Sequence, residues 1–277
     1  MLRSRTPRFS RRFLRESQYT VQPETKKELR KIILDTIEKE GDDCDLNFID
    51  TSRIIDMSYL FDGMEDFNGD ISQWNVSNVE DMSYMFRYAN SFNGDISKWD
   101  VSNVYDMSFM FCEALSFNQP LNDWDVSNVK YMNSMFMLAN SFNQPLNKWN
   151  VSNVEDMNEM FYGAESFNQP LNKWDVSNVR NMSKMFEDAV SFNQNLNDWD
   201  VSRVRDMCSM FEYAESFNKP LNDWDVSNVT DFSFMFYNAK SFNQDLNDWD
   251  VSGRHASRSN IFDGSKLQKR RNFPDWY

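Results

Sequence analysis

Apolar residues recur along this chain with a period of 25. Trp74, Trp99, Trp124, Trp149, Trp174, Trp199, Trp224 and Trp249 are each 25 residues apart, and no insertion breaks the register. In phase with them each copy reads L-N-x-W-D-V-S-N-V-x-D-M-S-x-M-F-x-x-A-x-S-F-N-Q-P, clearest over Leu121–Pro145. Within a copy, Val79, Met82, Met85, Phe86 and Ala89 stand at i, i+3, i+6, i+7 and i+10, one side of a helical wheel. That spacing predicts a helix of about ten residues in every unit. Ser77 would be its N-cap and Asp81 would face its positive end. The other half places Phe117, Leu121, Trp124 and Val126 without strict alternation, and Pro120, Pro145 and Pro170 would lie one above another without the N–H a ladder needs. A strand of only about three to four residues beside the proline is expected there, with turns for the rest.

One unit cannot bury enough apolar surface to offset the ordering of its own backbone, so the copies must stack. The expectation is a right-handed α/β solenoid of about nine 25-residue units, each a short strand plus a helix, curved with the helices outside because helices need more room than strands. A worn copy precedes the first Trp, with Ile49 in the Trp place, and another decays over Val251–Leu267, shifting phase near Ile261–Phe262. Ahead of them Thr25 to Glu28 forms a capping box, followed by Leu29, Ile32, Ile33 and Ile37 on one face. The chain therefore divides into a basic disordered tail at 1–20, a helical cap at 21–45, tandem repeats at 46–252, and a degenerate last repeat with a basic tail at 253–277.

Charge sharpens this division. The net charge is −14, yet residues 1–20 carry +5, 21–40 carry 0 and 254–277 carry +4, which leaves −23 on 41–253. Repeats this acidic repel phosphate backbones and anionic membranes, so no nucleic acid partner is expected on them. No apolar run is long enough to span a membrane. No signal peptide is evident at the N-terminus, so a cytoplasmic place is the default expectation; the Arg- and Ser-rich segment 1–15 also has the composition of a transit peptide. Cys44, Cys112 and Cys208 do not form a disulfide framework, Cys112 and Cys208 standing at different repeat positions nearly four units apart.

Candidate chemistry is sparse. The one histidine, His255, stands among basic residues in the decayed last copy and reads as a surface side chain, and no second His or paired Cys offers zinc geometry. Acids such as Asp81, Asp106, Asp156, Asp206 and Asp231 recur at one register position, which suits capping and turns better than a unique site. Asn/Asp-rich repeats can hold calcium, but the Gly-rich calcium nonapeptide is absent. No metal, cofactor or catalytic group is expected, and the chain reads as a non-enzyme. Asn follows Phe in every copy, at 68, 93, 118, 143, 168, 193, 218 and 243, and reads as a structural ladder serving turn backbone. Function is better sought where copies differ. The variable place in S-x-M is filled by Tyr59, Tyr84, Phe109, Ser134, Glu159, Lys184, Ser209 and Phe234. Tyr59, Tyr84, Tyr88, Phe109 and Phe234 are the candidate partner-binding residues, on an outer helix face of aromatics that interfaces favour. The alternative for these positions is drift at unconstrained solvent sites.

The unit F-N-Q-P-L-N-x-W-D-V-S-N-V-x-D-M-S-x-M-F resembles the 25-residue surface repeat of the BspA-like leucine-rich-repeat proteins, also known from mycoplasma surface proteins; the resemblance covers about Leu29 to Leu267. It implies a leucine-rich-repeat-like fold and a bacterial surface or adhesion module, which would put the chain at the cell surface or outside the cell. Three readings of function follow. The leading one is a non-enzymatic scaffold for binding a protein, or a glycan, in adhesion or host interaction. The second is a structural, self-associating surface protein, and the third an enzyme with a site in the terminal segments.

Overall fold

The structure, a computed structural model, describes residues 20–251, 256–267 and 273–277. The basic segment 1–19, His255 and the basic run at 268–272 lie outside the described residues.

Helix α1 spans Lys26–Glu40. Thr25 Oγ1 accepts the Glu28 N–H at 3.2 Å and the Glu28 carboxylate accepts the Glu24 N–H at 2.7 Å, so two N-terminal donors are satisfied by side chains. The helix ends at Gly41, whose φ of 89° no L side chain adopts readily and whose N–H returns to Ile37 O. Leu29 and Ile33 are buried against the first repeat.

The repeats do not form the expected α/β solenoid of leucine-rich-repeat type. Among the described residues, no repeat contains a helix; apart from α1, only residues 266–267 are helical. The reason lies at two backbone positions per copy. Tyr84 and Tyr88 have φ of 59° and 60°, in the left-handed region, and the same pair recurs at Phe109 and Glu113, Ser134 and Leu138, Lys184 and Asp188, Ser209 and Tyr213, and Phe234 and Asn238. An α-helix needs φ near −63° at every residue, so left-handed residues four apart break it each turn.

The hydrogen bonds follow that backbone. The N–H groups of Met82, Tyr84, Phe86 and Tyr88 donate to the carbonyls of Asp106, Ser108, Met110 and Cys112 in the next copy, at 2.8–3.0 Å. Those of Met85, Arg87 and Ala89 close local turns onto Met82, Tyr84 and Phe86. Each copy is thus a flat tier of turns, and half the bonds that a helix would keep inside itself tie one tier to the next. The strand expected beside the prolines is also replaced. The tiers meet through single parallel bridges, Asp56 with Asp81, Asp81 with Asp106, and so on to Asp231 with Ser257, inside the segment expected to be helical. With no helical side, the expected curvature loses its premise.

Side-chain ladders hold the other half of each tier. Asn93 N–H donates to Asn68 Oδ1, Asn118 N–H to Asn93 Oδ1, and the series continues to Asn243 on Asn218, all at 2.9–3.0 Å. This is the role the recurring Asn was expected to have. A second series runs from Asn78, Asn103, Asn128, Asn153, Asn178 and Asn228 to the Ser carbonyl one tier back. Ser77 is not a helix cap: its N–H donates to Asn75 Oδ1, and Asp81 likewise accepts from Ser83, which makes both local turns.

The core is three columns of rings. Phe86 and Phe92 stack at 4.1 Å within a tier, while Phe86 on Phe111, Phe92 on Phe117 and Trp74 on Trp99 stack at 5.6, 5.9 and 6.5 Å between tiers. Every Trp indole of the column is buried yet satisfied, as in Trp149 Nε1 donating to Leu121 O at 2.8 Å. The last tier is offset by one extra residue, since Phe232 bonds Ser257 where Met82 bonds Asp106. Its Trp is Trp276, which stacks on Trp249 at 6.2 Å and donates to Leu246 O. Because four N–H groups per tier point toward the C-terminal neighbour, the first tier is left with outward carbonyls. Arg30 of α1 takes one of them, Leu60 O, together with Tyr59 O.

A candidate partner-binding face

The left-handed residue of S-x-M directs its side chain away from the ring columns, so this register position forms a row across the tiers. In the first three tiers the row is aromatic. Tyr59 stacks on Tyr84 at 4.5 Å and 6°, and Tyr84 on Phe109 at 4.6 Å and 7°, tighter than the ring spacing between tiers in the core. Tyr59 is 44% exposed, Tyr84 and Phe109 half-buried. Arg87 closes the row. Its guanidinium grips Asp62 through Nε at 2.8 Å and Nη2 at 3.0 Å, and lies 4.8 Å from the Tyr84 ring centre, 5.1 Å from Tyr88 and 5.7 Å from Tyr59. A bidentate pair fixes the cation so that its charge sits over the rings rather than swinging into water. Burial pushes the Tyr84 hydroxyl above its ordinary pKa, so it stays a neutral donor.

Four of the five sequence-predicted residues therefore come together: Tyr59, Tyr84, Tyr88 and Phe109. They lie on turns, not on an outer helix face. Phe234 stands apart, five tiers on, where its ring meets Tyr237 edge-on at 5.8 Å and Tyr237 meets Tyr213 at 5.6 Å. Between the two groups the row turns polar: Ser134 Oγ donates to Glu159 Oε2 at 3.0 Å, and Lys184 Nζ lies 4.0 Å from Glu159 and 3.7 Å from Glu187.

Residue-by-residue reading of the sequence missed the charged partners of this face. Arg87 and Asp62 are singletons at a variable repeat position and Arg30 lies in α1, and only the fold shows that they converge on Tyr59. A cavity of about 330 Å³ opens beside that ring, between α1 and the first tier, lined by Lys26, Lys27, Arg30, Tyr59 and Asp62 among others. At its edge Lys26 holds Asp56 and Ser58 at 2.7 and 2.8 Å. The signal available in the sequence was the run of bases in α1 beside the first aromatic tier. Among the described residues no three His, Cys, Asp or Glu side chains gather as a metal-holding group, and no helix is long and apolar enough to cross a membrane.

A family model described as Mycoplasma protein of unknown function, DUF285, matches the chain three times, over residues 33–137, 98–191 and 170–276. The three matches overlap along the repeats, so the family unit spans several tiers. No curated protein and no solved structure matches.

Proposed function

The chain belongs to the DUF285 family of Mycoplasma proteins of unknown function, and from that premise we propose that it is a binding scaffold whose protein partner docks on the aromatic face of the first three tiers. The observation that carries this reading is the stack of Tyr59, Tyr84 and Phe109 under the clamped Arg87. Tyr and Arg are the side chains that supply most binding energy at protein interfaces, and these are already held in place, so little side-chain freedom remains to be lost on docking. The resemblance of the repeat motif to BspA-like surface repeats points the same way, toward a partner met in adhesion.

The row supplies its own folding-neutral substitutions, because Ser134 and Ser209 occupy the same left-handed position with φ of 54° and 56°. Tyr84→Ser combined with Phe109→Ser is expected to leave the melting temperature within a few degrees and to weaken capture of the partner at least tenfold, about 1.4 kcal/mol. The measurement is a titration of the full chain and the double variant against the captured partner. Equal affinity would remove the face from consideration, and an unfolded variant would make the rings part of the core.

A further inference from the structure

Arginines gather at one place on the acidic repeats. Arg180 and Arg205 occupy the same register position in adjacent tiers, and the Arg205 N–H donates to Arg180 O at 2.9 Å, so the two side chains leave neighbouring rungs. Arg203 stands two residues before Arg205. Together they line a cavity of about 330 Å³ with Ser202 and Asn228, and Arg180 also borders a second of about 220 Å³ lined by Lys130, Glu155, Asn153 and Asn178.

Two features set the cluster apart from the surrounding repeats. Like charges on neighbouring rungs repel and lower stability, and elsewhere in this row the tiers carry Glu80, Tyr105, Lys130, Glu155 and Thr230. Yet none of the three arginines forms an ion pair among the described residues, although acids far outnumber bases in the repeats. The nearest acids along the chain, Asp206 next to Arg205 and Asp200 before Ser202, accept the Cys208 and Ser202 N–H groups instead. The second feature is a broken ladder. Where Asn78, Asn103, Asn128, Asn153, Asn178 and Asn228 each donate to a Ser carbonyl one tier back, Arg203 gives up that bond and reaches Asn178 Oδ1 at 2.6 Å. The side chains of Arg180 and Arg205 make no hydrogen bond to described residues, so their donors face the cavity without a protein acceptor.

We propose that Arg180, Arg203 and Arg205 form a binding site for a phosphate group, free or carried as a monoester on a small molecule. A carboxylate is filled by one bidentate guanidinium, whereas three guanidinium groups around one cavity match the three terminal oxygens and double charge of a phosphate monoester. The site is independent of the aromatic face, which lies three or more tiers away.

The test is calorimetric titration of the full chain with inorganic phosphate and, separately, with a hexose phosphate. The control variant combines Arg180→Thr, Arg203→Asn and Arg205→Thr, which are the residues that stand at these positions as Thr230 and Asn228 one or two tiers on. Removal of like charges leaves its thermal stability equal or higher. Saturable binding of either probe is expected with a Kd of about 1 mM or tighter, weakened at least tenfold in the variant. Tighter binding of the hexose phosphate would identify a carried phosphate, and equal binding a free one. Absence of binding to both probes, or binding that survives in the variant and so resides on the basic termini, overturns the proposal.

Discussion

Glu187, at the register position of Arg87, shows how one residue is tuned by the stack. Its side chain is half-buried, Oε2 is shielded from water without a hydrogen bond, and Lys184 at 3.7 Å is too far to donate. Burial pushes its pKa up to about 7, with Glu212 and Asp188 adding to the rise and Lys184 opposing it. The folded state therefore holds a proton that the unfolded chain releases near pH 4.5, so stability from this group is lost as pH rises from about 4.5 through 7. Glu187→Gln is expected to stabilise the protein by about 2–3 kcal/mol above pH 7 and to have no effect near pH 4.5, read by urea unfolding at the two pH values. A variant less stable than the parent at pH 8 would mean that the Lys184 pair outweighs burial. At this scale much was legible in the sequence. The Trp, Phe and Met columns and the Asn ladder follow from strict recurrence at one register position. The convergence of Arg87, Arg30 and Asp62 was not, because Arg87 and Asp62 are single departures from the repeat, Arg30 lies outside it, and they gain meaning only when α1 and the tiers are laid on one another.

The element most clearly read was α1, where capping box and apolar face agree with the helix found. The repeat helix was misread for a physical reason. Met82, Met85, Phe86 and Ala89 must all face the core, and both a helix and a pair of four-residue turns return the chain to the same face at i, i+3, i+4 and i+7. Periodicity alone cannot separate them. The distinguishing signal was at the second left-handed position, where the tiers carry Gly63, Gly163, Asn238 and Gly264, residues that favour positive φ, with values of 73°, 63°, 52° and 77°. Tyr88, Glu113 and Tyr213 at the equivalent place hid it. Glu113 has φ of 57°. Relative to Glu113→Ala, Glu113→Gly is therefore expected to be more stable by about 1 kcal/mol, since glycine relieves left-handed strain. In a helix interior the sign reverses, with glycine about 1 kcal/mol worse than alanine. Urea unfolding of the two variants decides between them.

Across the whole molecule, the same four donors repeat in every tier and point one way, so each tier is completed by the next and the two ends need different covers. Arg30 of α1 takes a carbonyl at the start, and Trp276 with Phe262 and Tyr277 packs over the other end. This follows the logic of repeat proteins, in which neighbours supply what a unit lacks. It also leaves the outer rows free to vary, which is where the aromatic face and the arginine cluster stand. The central claim is that the tiers are built from turns bonded to one another and not from helices. The most direct test is the amide I vibrational spectrum of the full chain. Among the described residues only the 15 of α1 and residues 266–267 are helical, so the helical share of the chain should be small, well below one-fifth. A share of about a third, as helices of about ten residues in every unit would give, would contradict it.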